Sequence, residues 1–155
     1  MKRKLKAKQR ISRTAKIGRQ CAALPVRLGS DGRLLVMLVT SRGTKRWVVP
    51  KGWLAPKLSA ADAAAREAYE EAGVLGWIVG DAPVGSYRYV KRLTPTSSIP
   101  CDVDVFLLEV DEELERWPER HQRETSWFTP DEAAARVEEA DLGAILLGLE
   151  AMLVR

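Results

Sequence analysis

The sequence predicts one α/β domain in which a mixed central sheet lies between helices, an α/β/α sandwich. Three observations lead there. Two continuous apolar runs, residues 33–40 and 101–110, have the content and length of strands buried on both faces. Between them lies an alanine-rich helical stretch at 60–72 with capping residues at both ends. A second helical region opens at Thr129-Pro130, after the last strand-like run.

In chain order, residues 20–27 form the first strand, and Pro25 within it suits an edge strand or a bulge, because proline gives no N–H to a ladder. Gly29-Ser30-Asp31-Gly32 turns the chain into the apolar run 33–40. Ser41-Arg42-Gly43-Thr44-Lys45 turns it back to a short strand, Trp47-Val48-Val49, and Pro50-Lys51-Gly52 reads as a loop. The central helix runs from about Ala60 to Ala72. Ser59 is its N-cap with Asp62 three residues on, Gly73 its left-handed end, and Val74 the apolar residue of a Schellman ending. Trp77-Ile78-Val79 is a short strand before the turn Gly80-Asp81-Ala82-Pro83. Residues 85–93 alternate as a strand, with Tyr87 and Tyr89 on one face and Arg88 and Val90 on the other. Residues 95–100 read as a loop. In the run 101–110, Val103, Val105 and Leu107 oppose Phe106, Leu108 and Val110. An acidic stretch, 112–119, ends at Trp117-Pro118, and residues 124–128 make the last strand. Thr129 as N-cap and Pro130 at N1 start a helix, and Asp141 is placed to cap a final helix reaching about Leu153.

With 155 residues, 46% apolar and 30% charged, the chain can bury one core. No apolar run approaches a membrane span, so no membrane partner is expected. Cys21 and Cys101 lie far apart and outside any CxxC or zinc spacing, which reads as two buried thiols of a cytoplasmic protein. The single histidine, His121, argues against a Ser-His-Asp triad or a histidine metal site. The charge is unevenly spread. Residues 1–19 hold nine bases and no acid, so of 25 bases 16 remain against 21 acids over 20–155, about −5. The expected organisation is therefore a basic N-terminal arm, 1–19, and a mildly acidic domain, 20–155. The arm reads first as a solvated segment, with the gathering of polyanions or organelle targeting as alternatives.

The central helix carries the chemistry. At about 100° per residue, Glu70, Glu67 and Glu71 fall within an arc of about 100°, and Ala61, Ala65, Ala68 and Ala72 on a separate arc. Like charges at these spacings each cost an exposed helix about 0.2–0.5 kcal/mol. Arg66, four residues before Glu70, offsets part of that, and a hard divalent cation would offset more.

Gly52, then Arg66-Glu67-Ala68-x-Glu70-Glu71-x-Gly73-Val74 at the spacing seen here, resembles the signature of the Nudix hydrolases. One position departs, since Leu58 stands where that pattern has its first glutamate. The resemblance implies a Nudix-type α/β/α sandwich with the glutamate helix packed on a mixed sheet, and hydrolysis of a diphosphate bond. It implies that Mg²⁺ or Mn²⁺ is held by Glu67, Glu70, Glu71 and the backbone carbonyl of Lys51. Glu67 or Glu70 would serve as base and Arg66 would orient a glutamate.

Arg46-Trp47-x-x-Pro50-Lys51-Gly52, Tyr87-x-Tyr89-x-Lys91 and Trp127-Phe128 resemble the diphosphoinositol polyphosphate and diadenosine polyphosphate hydrolase branch, which implies a phosphorylated small-molecule partner of either type, with nucleic acid a lesser expectation. The chain is expected to be a monomer or a homodimer. Lys51, Gly52, Arg46, Trp53 and Lys91 are the candidate substrate-binding residues, Trp53 as a stacking surface. Trp47, Trp77, Trp117 and Trp127 read as core or edge packing. Arg42, Arg88, Arg120 and Arg123 are further cations near the expected cleft, and Glu124 a candidate extra ligand. The alternative reading is a non-catalytic nucleotide- or RNA-binding module.

Overall fold

The computed structural model describes residues 17–153. Its strands are β1 (Gly18–Leu28), β2 (Leu34–Thr40), β3 (Trp47–Val48), β4 (Lys51–Trp53), β5 (Val74–Val79), β6 (Gly85–Thr94), β7 (Ser97–Glu113) and β8 (Thr125–Phe128). The helices are α1 (Ala60–Ala72), α2 (Pro130–Arg136), α3 (Ala140–Leu147) and α4 (Leu149–Leu153). The eight strands form one mixed sheet. Among the described residues no helix is long and apolar enough to cross a membrane.

Long strands carry two shorter ones in tandem along an edge. β1 runs parallel to β7 from Gly18 opposite Cys101 to Val26 opposite Glu109. Its other edge pairs first with β4, Gln20 opposite Trp53, and then with β2, Val26 opposite Val36. The far edge of β7 takes β6 along residues 97–105 and then β5 along 107–113. This arrangement corrects the edge-strand expectation from Pro25, because β1 is central. Ala23 N–H donates to the Pro50 carbonyl at 3.1 Å, so by strand alternation the Pro25 nitrogen faces the same edge. It falls in the gap where β4 has ended and β2 pairing has not begun, where no N–H is needed.

The sheet buries a core on each face. Leu24, Leu38, Val103 and Leu107 pack with Leu142, Leu146 and Leu149 of the C-terminal helices. Cys21, Ala23, Val39, Phe106 and Leu108 pack under Ala63, Ala64, Ala68 and Ala72 of α1. The two faces of residues 101–110 thus divide as the sequence alternation predicts.

Several boundaries differ from expectation. Lys51 and Gly52 are strand rather than loop, because they pair with Ala22 and Cys21. Residues 95–100 are a two-residue turn at Pro95-Thr96 with Thr94 opposite Ser97, so β7 starts earlier. β5 starts at Val74, three residues before the expected Trp77, and Val74 is buried in the same cluster as Ala68 and Ala72. The final helix is interrupted at Gly148. Its N-cap is Glu139, with no side-chain cap bond, and Asp141 lies in the first turn. Trp77 is 69% exposed, against the packing expected of it. The basic arm lies largely outside the described residues, and Gly18 and Arg19 already belong to β1.

Candidate active site

β4 and α1 build the site. The Ser59 hydroxyl accepts from Asp62 N–H at 3.0 Å and starts α1. Gly73, at φ 70, ends it and donates to the Tyr69 carbonyl at 3.1 Å. Leu58 N–H donates to the Ala55 carbonyl at 3.2 Å, closing the loop before α1 through backbone while the Leu58 side chain stays exposed.

Burial of the three glutamates follows their angle from the alanine face. Glu71 lies about 20° from Ala64 on the helical wheel, Glu67 about 60° and Glu70 about 120°. Accordingly Glu71 is buried, while Glu67 and Glu70 are half-buried. The buried alanines are Ala63, Ala64, Ala68 and Ala72, with Ala61 and Ala65 only partly covered.

Glu71 sits between β4 and the segment before β8. Its Oε1 accepts from Lys51 N–H at 3.4 Å, and its Oε2 faces Arg123 at 3.7 Å. Glu67 and Glu71 stand on successive turns of the same face of α1. Gly52 lies under Glu67, and a Cβ there would run into the carboxylate. Burial raises the Glu71 carboxyl to about 8, with Arg123 opposing and Glu67 adding to the rise. Burial also raises Glu67 and lowers the Lys51 ammonium to about 8 against the pull of Glu71.

These residues suit a hard divalent cation. Two carboxyls stand one helical turn apart, a glycine clears the space beneath one of them, and every donor is oxygen. Lys51 N–H points to Glu71 rather than to β1. The carbonyl of a strand residue faces the same side as its N–H, which turns the Lys51 carbonyl toward α1. Among the described residues no three His, Cys, Asp or Glu side chains are grouped as a finished metal cage. Mg²⁺ is often held by one or two carboxylates together with substrate phosphates.

The carboxyls open onto a cleft of about 470 Å³. Glu67, Glu71, Glu119, Arg123, Arg42, Gln20, Lys51, Trp53, Tyr89 and Lys91 are among the residues that line it. Of the residues singled out in the sequence, Glu67, Glu71, Lys51, Gly52, Trp53, Lys91, Arg42 and Arg123 are brought together there. Glu70 and Arg66 are not among the lining residues. Arg66 Nε lies 3.9 Å from Glu70 Oε2 on the outer side of α1. Arg46 is turned away, with its Nη1 at 3.3 Å from both Glu138 and Glu139. Glu124 is exposed, and its N–H donates to Thr40 Oγ1 at 2.8 Å. Arg88 pairs with Asp102 at 2.7 Å, and Arg120 lies over Trp117.

Sequence reasoning missed Gln20, Tyr89 and Glu119 as cleft residues. The four-residue spacing of Glu119 and Arg123 is a visible ion-pair signal, realised at 2.7 Å. Nothing local marks Gln20, whose place depends on the pairing of β1 with β4.

The NUDIX domain profile matches residues 18–146, and the chain belongs to that family. It is 38% identical over 104 residues to Nudix hydrolase 12, mitochondrial, of Arabidopsis thaliana, covering 65% of this chain and 51% of the relative. It is 33% identical over 101 residues to diphosphoinositol polyphosphate phosphohydrolase 2 of Rattus norvegicus, covering 64% and 51% respectively. The chain thus spans about half the length of these curated relatives. In fold it is similar to a C. elegans Ap4A hydrolase binary complex, with TM-score 0.66, 19% identity, and coverage of 89% of this chain and 98% of that one. The sandwich expected from the sequence is the fold observed.

Proposed function

We propose that this protein is a divalent-metal-dependent pyrophosphohydrolase that cleaves a diphosphate bond in a dinucleoside polyphosphate or diphosphoinositol polyphosphate type of substrate. The observation that carries the reading is the Glu67–Glu71 pair above Gly52, beside Lys51, at the wall of a cleft also lined by Arg42, Lys91 and Arg123. Membership of the family and the names of the relatives support it. Glu67, Glu71 and the Lys51 carbonyl would hold the cation, with Glu70 one helical turn from Glu67 on the same helix. A bound Mg²⁺ or Mn²⁺ would neutralise phosphate charge and lower the pKa of a water to give a nucleophile. Glu67, half-buried at the cleft wall, is placed to accept a proton. Lys51 and Lys91 neutralise phosphate oxygens, and Arg123 fixes the orientation of Glu71.

The test is turnover with Mg²⁺ or Mn²⁺ on dinucleoside polyphosphates, diphosphoinositol polyphosphates, nucleotide sugars and triphosphorylated RNA, with Glu67→Gln and Glu71→Gln as controls. The expected loss of kcat in each variant is about 10²–10⁴-fold, the scale of removing acid–base chemistry. Absence of turnover on every member, with ligand binding that persists without metal, would instead indicate a non-hydrolytic binding module.

A further inference from the structure

β5 is a strand with one open edge. It pairs with β7, and among the described residues no other strand pairs with it. Its six residues, Val74-Leu75-Gly76-Trp77-Ile78-Val79, include no charge and no proline. Natural sheets guard such edges with charged side chains, proline or a covering segment, because open N–H and C=O groups accept another strand. β6 likewise pairs with β7 alone, and it carries Arg88, Lys91 and Arg92. β5 has no comparable guard in its sequence.

Its side chains add a second observation. Val74 and Ile78 pack with the core under α1, whereas Leu75, Trp77 and Val79 are 40%, 69% and 38% exposed. Alternation sets those three in one row on the other face of the sheet. Trp77 is opposite Glu109 and Val79 opposite Leu107, whose side chain belongs to the core beneath the C-terminal helices. The register shifts where Leu75 faces Glu112 and Gly76 faces Val110, so the extra residue is Asp111 of β7. β5 itself stays regular. None of its residues lines the cleft at the carboxyls.

We infer that β5 is a self-association edge, on which β5 of a second copy of this chain adds antiparallel about a twofold axis at Trp77. A twofold interface has to be self-complementary, and the row Leu75, Trp77, Val79 is nearly symmetric about its centre. Residues directly opposite in an antiparallel pair point to the same side. Centring on Trp77 sets it against Trp77 of the second copy, Leu75 against Val79, and Gly76 against Ile78. Each exposed apolar residue of the row then meets another, and no like charges of β5 come together. The same strand that pairs the open backbone groups thus also covers the indole. Six residues a side is well under the roughly 20–30 of a standard interface, so the association is reversible and depends on concentration.

The experiment is sedimentation velocity of the full chain over about a hundredfold range of concentration, up to about 1 mM. Hydrogen exchange of residues 73–80 is read by mass spectrometry at both ends of the range. The expected result is a monomer–dimer equilibrium in which exchange over 74–79 slows as the dimer forms. Trp77→Lys sets two ammonium groups face to face on the axis and should weaken association about tenfold or more, the scale of losing an aromatic anchor. Arg92→Glu, on the β6 edge, should associate as the wild type does. Val79→Lys takes the place of Trp77→Lys if that variant does not fold. A chain that is monomeric across the whole range would overturn the proposal. A dimer that survives both lysine variants, is broken by Arg92→Glu, or leaves exchange over 74–79 unchanged has its contact elsewhere and overturns it equally. None of these readouts depends on the activity proposed above.

Discussion

Arg123 reaches across the cleft wall to Glu71 with an Nη2–Oε2 separation of 3.7 Å, and the two side chains are only 9% and 7% exposed. The same guanidinium bonds Glu119 through Nε at 2.7 Å and the Thr40 carbonyl through Nη1 at 3.0 Å. One side chain thus joins α1, the end of β2 and the segment before β8. Glu119 N–H adds a bond at 2.9 Å to the Glu70 carbonyl, one of the last carbonyls of α1. Arg123→Met should lower stability by about 1–3 kcal/mol, because it removes the charge-assisted bond to Glu119 and the bond to the Thr40 carbonyl. Urea denaturation measures this, and a cycle with Glu71→Gln should show coupling between the two sites.

Gly52→Ala should separate the metal site from the fold. The added Cβ meets the Glu67 carboxylate rather than backbone, so Glu67 must move while β4 keeps its pairing with β1. Weaker Mn²⁺ binding by about tenfold or more is expected, on the scale seen when the groups that orient metal ligands are disturbed. Far-UV circular dichroism should match the wild type. Unchanged Mn²⁺ affinity would mean that Glu67 takes no part in holding the ion.

The buried Glu71 carboxyl gives the metal-free protein a definite pH dependence. Its folded pKa, about 8, lies above the ordinary carboxylate value of 4.5. Between those values the folded state holds the extra proton, so the contribution to stability is complete below about pH 4.5 and is lost as pH rises through 8. With chelator present, the thermal midpoint should fall from pH 5 to pH 8. Added Mg²⁺ should raise it more at pH 8 than at pH 6, since the ion requires the proton to leave. A chelated protein equally stable across this range would contradict the assignment.

The two cysteines should be inert in the folded state. Both are fully buried, and burial pushes the Cys21 thiol up to about 11 and raises Cys101. Iodoacetamide at pH 8 should leave intact protein unmodified and label both thiols in denaturant. Mass spectrometry reads both outcomes.

The elements that depend on local chemistry were legible in the chain. The caps of α1 and α2, the left-handed Gly73 and the alternation of β7 follow from neighbours a few residues apart, and they are where the sequence puts them. Errors arose where distant strands decide. Pro25 reads as an edge signal until β4 and β2 are seen to share an edge of β1. Pro50-Lys51-Gly52 reads as a loop until Cys21 and Ala22 pair with it. Arg46 reads as a phosphate ligand until Glu138 and Glu139, far along the chain, take its charge.

The sequence by itself determined the family and the α/β/α sandwich. It also determined which helix carries the carboxylates, because periodicity, capping and motif spacing act within one stretch of chain. Tertiary structure decided which carboxylates meet. Packing of the alanine face turned Glu71 inward toward Lys51 and Arg123 and left Glu70 outside with Arg66. It also set Gln20 opposite Trp53, a juxtaposition fixed by strand register. Register depends on which chains lie side by side, and no local pattern encodes that.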